Sequence, residues 1–244
     1  MRGLILLSYL LLTFSLSAQA ADVRLATLEY PPYSSELLPE RGSIVELTTR
    51  AFAETGNSVQ IDFLPWARAL AELRKGNYDG VLLLWPEEIV SEQLIASRPL
   101  LYSQLGFFIR QDTPVAFTEL SQLKGRKVGI ARGYGYPKDI LNSGIVSEEG
   151  ADDLTNLRKL AAGRFDLVLL EQQVGLHLLS REPALQKSLA WKGQTLARIP
   201  LFVGFAPPKP GRPDWASVYA HGLSALLTNG EYLRILQRHS RAIP

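Results

Sequence analysis

Leu73-Arg74-Lys75-Gly76-Asn77-Tyr78-Asp79 runs into Gly80-Val81-Leu82-Leu83-Leu84-Trp85, and Leu160-Ala161-Ala162-Gly163-Arg164-Phe165-Asp166 runs into Leu167-Val168-Leu169-Leu170. In both stretches an amphipathic helix ends on a glycine, an aromatic and an aspartate follow, and an apolar run comes next. Glycine stops a helix because it enters the left-handed backbone region at no side-chain cost. A continuous apolar run marks a strand covered on both faces. The device used twice predicts two similar α/β lobes rather than one large sheet.

Outward from the first stretch, Val23 to Leu28 reads as a strand that empties into Tyr30-Pro31-Pro32-Tyr33. A helix follows from Ile44 to Glu54, with Ile44, Leu47, Ala51 and Phe52 on one face. A strand from Val59 to Leu64 leads to Pro65, which opens a helix ending at Lys75. In the second set, Gly106 to Arg110 and Lys127 to Ala131 read as strands, the latter entering Gly133-Tyr134-Gly135-Tyr136-Pro137, where Pro137 is placed as a first helical residue. A helix from Asp152 to Ala162 precedes the strand Phe165 to Leu170, which ends at Glu171.

At the N-terminus, Met1-Arg2 precedes an apolar run from Leu4 to Leu16 and then Ser17-Ala18-Gln19-Ala20. A basic start, a short apolar stretch and small residues two apart are the plan of a secretory signal peptide, so residues 1–20 are expected to be removed and the protein to reach the periplasm. A membrane anchor needs ~20 apolar residues, and Thr13, Ser15, Ser17 and Gln19 interrupt this run first. The 26 basic and 24 acidic side chains nearly balance, which gives no electrostatic footprint for nucleic acid. With no cysteine, disulfides and thiolate chemistry are excluded. His177, His221 and His239 lie far apart without ligand spacing, so no metal site or cofactor is expected.

The order of these elements, with Gly42-Ser43-Ile44-Val45-Glu46-Leu47, Gly76-Asn77-Tyr78-Asp79-Gly80, Leu123-Lys124-Gly125-Arg126-Lys127-Val128-Gly129 and Gly163-Arg164-Phe165-Asp166, resembles the periplasmic extracellular solute-binding proteins of the polar amino-acid ABC-transporter type. The resemblance covers essentially everything after the leader. It implies an α/β, two-lobed flytrap of the type II periplasmic binding-protein fold, closing on a small-molecule ligand as a monomer and meeting an inner-membrane permease or a sensor. Lobe one would comprise residues 22–107 plus 204–244 and lobe two residues 108–203, with crossovers at Gly106 to Arg110 and near Phe202 to Phe205. Hinge closure around a ligand is the general behaviour of this fold.

Carried over residue by residue, the resemblance puts Tyr30 and Trp66 in an aromatic sandwich around the ligand, with Trp85 at the end of the first central strand. Each also reads as ordinary structure, Tyr30 as a turn residue on proline and Trp66 as a buried helix-start anchor. The loop holding Tyr134, Gly135 and Tyr136 would take the ligand's carboxylate end on backbone N–H groups. Glu171 would pair with the ligand's ammonium, or simply cap a helix N-terminus. The family's carboxylate-clamping arginine, counted without gaps from Asp79, falls on Ser91, with Leu84 and Pro86 at its hydroxyl positions. A guanidinium fork is hard to replace, so an ordinary α-amino acid in the usual pose is not expected. Arg68 is the first candidate to compensate, unless it only pairs with Glu72 one turn on; Arg98 is the second. Pro65-Trp66-Ala67-Arg68 also resembles a subgroup of this family.

No Gly-x-Ser-x-Gly elbow, His-Glu-x-x-His, phosphate loop or dinucleotide fingerprint is present. The expectation is a binding protein and not an enzyme. Two alternatives stay open: a cyclohexadienyl dehydratase-like enzyme on the same fold, using a cleft carboxylate such as Glu171 as acid or base, and a sensor-docking binding protein.

Overall fold

A computed structural model describes residues 22–240. The leader expected over residues 1–20 lies outside the described residues, as do the last four positions assigned to lobe one.

Two βαβαβ units are built alike. In the first, β1 (Asp22–Thr27) is followed by α1 (Ser43–Glu54), β2 (Ser58–Phe63), α2 (Trp66–Arg74) and β3 (Gly80–Leu84), and β1 lies between β2 and β3, parallel to both. After α3 (Pro86–Ser91), β4 (Ile95–Ala96) and β5 (Leu101–Arg110), the second unit repeats the plan. It consists of β6 (Lys127–Ala131), α4 (Lys138–Leu141), β7 (Val146–Gly150), α5 (Asp153–Ala161) and β8 (Leu167–Glu171), with β6 between β7 and β8 and parallel to both. The chain closes with α6 (Gln172–Arg181), α7 (Pro183–Ser188), β9 (Leu189–Phe205), α8 (Trp215–Thr228) and α9 (Glu231–Ser240).

The repeated sequence stretch acts identically in both units. Gly76 and Gly163 take φ of 79° and 71° just past their helices. The Gly76 N–H donates to Leu73 and the Asn77 N–H to Glu72, while Gly163 donates to Leu160 and Arg164 to Lys159, the paired bonds of a Schellman stop. The aspartate then ties helix end to central strand. Asp79 accepts the Arg24 N–H at 2.9 Å and Asp166 accepts the Lys127 N–H at 2.8 Å, each with its own N–H returned to the same residue's carbonyl.

The halves are joined by two antiparallel strands. β9 pairs with β5 from Arg110↔Leu189 to Leu101↔Leu201 and continues beside β3 from Leu84↔Phe202 to Gly80↔Phe205. The strand path β2-β1-β3-β9-β5-β8-β6-β7 is therefore continuous, although the two parallel trios are separate units. The expected crossovers fall inside β5 and β9, but β5 starts earlier than the expected strand, at Leu101, and β9 is 17 residues long. Its middle, Trp191 to Ile199, alternates too little for the sequence to mark it as strand. The first half's core stacks Phe52 against Trp215, Tyr219 and Phe205, so α8 completes it. In the second half Phe108 packs on Trp191 and leaves no room for a Cβ at Gly175.

One strand is irregular where it matters. The β3–β9 register shifts between Leu82 and Leu84, and Leu83 sits at φ 68°. A leucine in the left-handed region carries a conformational cost of ~1 kcal/mol or more, which surrounding packing must offset. The bulge turns Leu83 toward the space between the halves.

Candidate functional site

Four rings meet between the two units. Tyr134, in the loop after β6, inserts among first-half aromatics with ring centroids 6.1 Å from Tyr30, 6.5 Å from Trp66 and 5.6 Å from Trp85, all edge to face. Such pairs are each worth ~0.5–1.5 kcal/mol beyond burial. Together with Leu28, Leu83 and Glu88 these four side chains enclose about 200 Å³ of empty space. Trp66 faces it because α2 begins there and buries Trp66, Ala69, Leu70 and Leu73 as one stripe.

Glu88 was not singled out by sequence, and it is the cavity's charged group. It lies in the first turn of α3, 4% exposed. Its Oε2 accepts the Trp85 N–H at 2.7 Å, a carboxylate cap three residues into the helix. Its Oε1 accepts the Trp66 indole N–H at 2.9 Å and, from the other half, the Gly135 N–H at 2.9 Å. A Cβ at Gly135 would come within 2.8 Å of Glu88 Cγ, so only glycine allows this approach. Burial pushes the Glu88 carboxyl up to about 7, against the pull of its three N–H donors. Proline and two glutamates directly after an apolar strand were the available sequence signal.

A second carboxylate crosses in the other direction. Glu171 caps α6 by accepting the Val174 N–H at 2.7 Å through Oε2, while its Oε1 accepts the Gln104 N–H and, from the first half, the Tyr33 hydroxyl, both at 3.1 Å. Burial raises its carboxyl above the usual range. Asp153, the first residue of α5, accepts the Tyr134 hydroxyl at 3.0 Å. Burial pushes it up to about 7, and its Oδ1 has no partner among the described residues. The buried Tyr30 hydroxyl also lacks one, and burial followed by the Glu171 charge holds it well above its ordinary value.

Of the residues named from sequence, Tyr30, Trp66, Trp85 and Tyr134 line one cavity and Gly135 bridges to its carboxylate. Tyr136 is buried, stacked on Tyr134 and bound through its hydroxyl to the Ala131 N–H at 2.9 Å, which shapes the loop. Glu171 caps α6 beside the cavity wall. Arg68 is a correction: it was expected to face the cleft, but it is exposed and absent from the lining. Two positions past Trp66, it falls about 200° around the helix from the buried stripe. Arg98 is likewise exposed. Ser91, at the end of α3, borders a wider outer groove and not the cavity. Pro137 stands just before α4, a single four-residue turn, instead of opening a longer helix.

No family model matches the sequence, and no curated protein does. Solved structures do. A histidine kinase sensor domain with similarity to periplasmic binding proteins is 25% identical, with 90% of this chain and 96% of that one covered at a TM-score of 0.73. An ancestral arginine-binding protein bound to arginine is 18% identical, covering 89% and 97% at a TM-score of 0.72. The arginine-, lysine-, histidine-binding protein ArtJ from the thermophilic bacterium Geobacillus stearothermophilus is 16% identical, covering 92% and 97% at 0.75. These likenesses establish the type II periplasmic binding-protein fold, and the neighbours are described as binding proteins or a sensor domain.

Proposed function

We propose that this chain is a periplasmic solute-binding protein that closes its two halves over a small polar ligand, on the scale of an amino acid, and presents it to an inner-membrane ABC transporter. The observation that carries this reading is the pair of carboxylates bonded across the cleft, Glu88 to Gly135 and Glu171 to Tyr33, over a cavity walled by rings from both halves. Bonds that exist only when the halves meet favour closure, and a ligand touching both walls adds to them. The leader-like N-terminus supports export, and the proposed lobes are residues 22–107 plus 204–244 and 108–203. A second reading, sensing instead of transport, is favoured by the sensor-domain likeness over nine-tenths of the chain.

A thermal-shift screen over amines, amino acids, small peptides and organic acids tests the binding role. A ligand at 100 times its Kd adds ~2.7 kcal/mol. The expected hit loses its shift in both Trp66→Ala and Tyr134→Ala. A hit that keeps its full shift in both variants overturns the placement of the site. Uptake of the labelled hit by cells lacking the gene separates transport, where uptake falls, from sensing, where it does not.

A further inference from the structure

We propose that the cavity takes a small organic cation, a primary or alkylated amine without a carboxylate, with Glu88 as its counter-ion and Tyr30, Trp66, Trp85 and Tyr134 as its walls. The inference rests on the cavity being the ligand site and adds the ligand's chemical class.

The lining contains no lysine, arginine or histidine, and its one charged side chain is Glu88. Aromatic faces carry the negative end of the ring quadrupole and attract cations. An anionic group entering here would be stripped of water beside a carboxylate, with no charge to compensate it.

The backbone donors that would otherwise serve an anion are already engaged by the protein's own carboxylates. The Gly135 N–H goes to Glu88 Oε1, the Trp85 N–H at the start of α3 to Glu88 Oε2, and the Val174 N–H at the start of α6 to Glu171. The nearest basic side chains of the outer groove are also paired, Arg74 with Glu92 and Lys138 with Glu87 at 3.8 Å. What remains unsatisfied is acceptor capacity: Asp153 Oδ1 is buried without a donor, and so is the hydroxyl oxygen of Tyr30, 2% exposed and on the cavity wall. An ammonium supplies donors and positive charge together. The displaced upward titration of Glu88 and Asp153 agrees with carboxyls lacking a cation, and it implies that binding a cation releases protons.

Calorimetry on the full chain with isobutylamine, choline, valine and isovalerate separates the classes, because valine is isobutylamine plus a carboxylate and isovalerate is the carboxylate alone. At least one amine is expected to bind saturably at millimolar concentration or below, at least tenfold tighter than valine, with isovalerate silent. Glu88→Gln, which keeps an acceptor oxygen, is expected to weaken that amine at least tenfold with an unchanged circular dichroism spectrum. Repeating the wild-type titration in buffers of different ionisation enthalpy should show proton release, a readout that needs no variant. Valine or isovalerate binding more tightly than both amines, or neither amine binding, overturns the cation class. If those acids lose binding in Tyr134→Ala the cavity still stands as the ligand site; if any probe binds undiminished in both Trp66→Ala and Tyr134→Ala, the site itself is wrong.

Discussion

The first half answers the second with the same device in a different position. After β3 the carboxylate comes from within the first turn of α3, at Glu88; after β8 it comes from the residue capping α6, at Glu171. Each spends one oxygen on its own helix start and extends the other to the opposite half, Glu88 to a backbone amide and Glu171 to a phenol. The difference follows from the strands. β8 is regular and ends with its glutamate in place, whereas β3 is bulged at Leu83, ends in Trp85 and reaches its carboxylate one turn later. A pseudo-symmetric pair of closures is thus obtained from two dissimilar local sequences, and only the Glu88 side opens into the cavity.

Removing either carboxylate breaks the comparison most severely. Glu171→Ala strands the Val174 and Gln104 amides and the Tyr33 hydroxyl, and is expected to cost about 2–4 kcal/mol in urea denaturation. Glu88→Ala should cost less, about 1–2 kcal/mol, because Gly135 is on a loop that reaches water when the contact is lost. Equal costs would mean that the two closures are equivalent in energy as well as plan.

A smaller effect is the dependence on pH. Glu88 in the folded chain holds its proton up to about 7, against 4.5 for a free glutamate, so the native state binds more protons between those values. Stability from this group is full below 4.5 and lost as pH rises through about 7, and Asp153, also at about 7, acts in the same direction from the other half. The melting temperature should fall by a few degrees across that window, less steeply in Glu88→Gln. His177, lowered by burial, opposes this on acidification below the ordinary histidine range, so His177→Gln should steepen the slope. Slopes unchanged by Glu88→Gln would remove the first half's carboxyl from the account.

Single donors come next. Tyr33→Phe and Trp66→Phe each delete one hydrogen bond to a crossing carboxylate and should cost about 1 kcal/mol apiece. The smallest change tests the repeat itself. Asp79→Asn and Asp166→Asn keep an acceptor oxygen for the Arg24 and Lys127 amides, and the two should agree within about 0.5 kcal/mol, since the extra Arg212 pair on Asp79 is exposed and worth little.

Those aspartate clamps were the part of the fold most legible in the sequence. Glycine stop, aspartate and buried strand are consecutive residues, and local chemistry dictates what they do. The aromatic walls were legible in identity, through the resemblance, because they sit at element ends that the chain order locates. Glu88 was not, because counting from Asp79 without gaps assumed a regular strand, and the Leu83 bulge with an early helix start at Pro86 changes which residue faces inward. A carboxylate consequently occupies the cavity wall in the stretch where the resemblance had called for an arginine. Arg68 failed for a simpler reason: nearness to Trp66 in sequence is not nearness on a helix surface.

The long strand β9 also governs the order in which the protein can be made. β3 finds its antiparallel partner only in Phe202–Phe205, and α1 finds its packing partners in Trp215 and Tyr219, with Glu46 bonded to Arg238 and His239. The half that emerges first therefore stays without one side of its sheet and one wall of its core until nearly the last residue has been synthesised. Its native state is reached by waiting for the end of the chain, and a nascent chain halted before Phe202 would hold a complete pattern of first-half strands with nothing to close them.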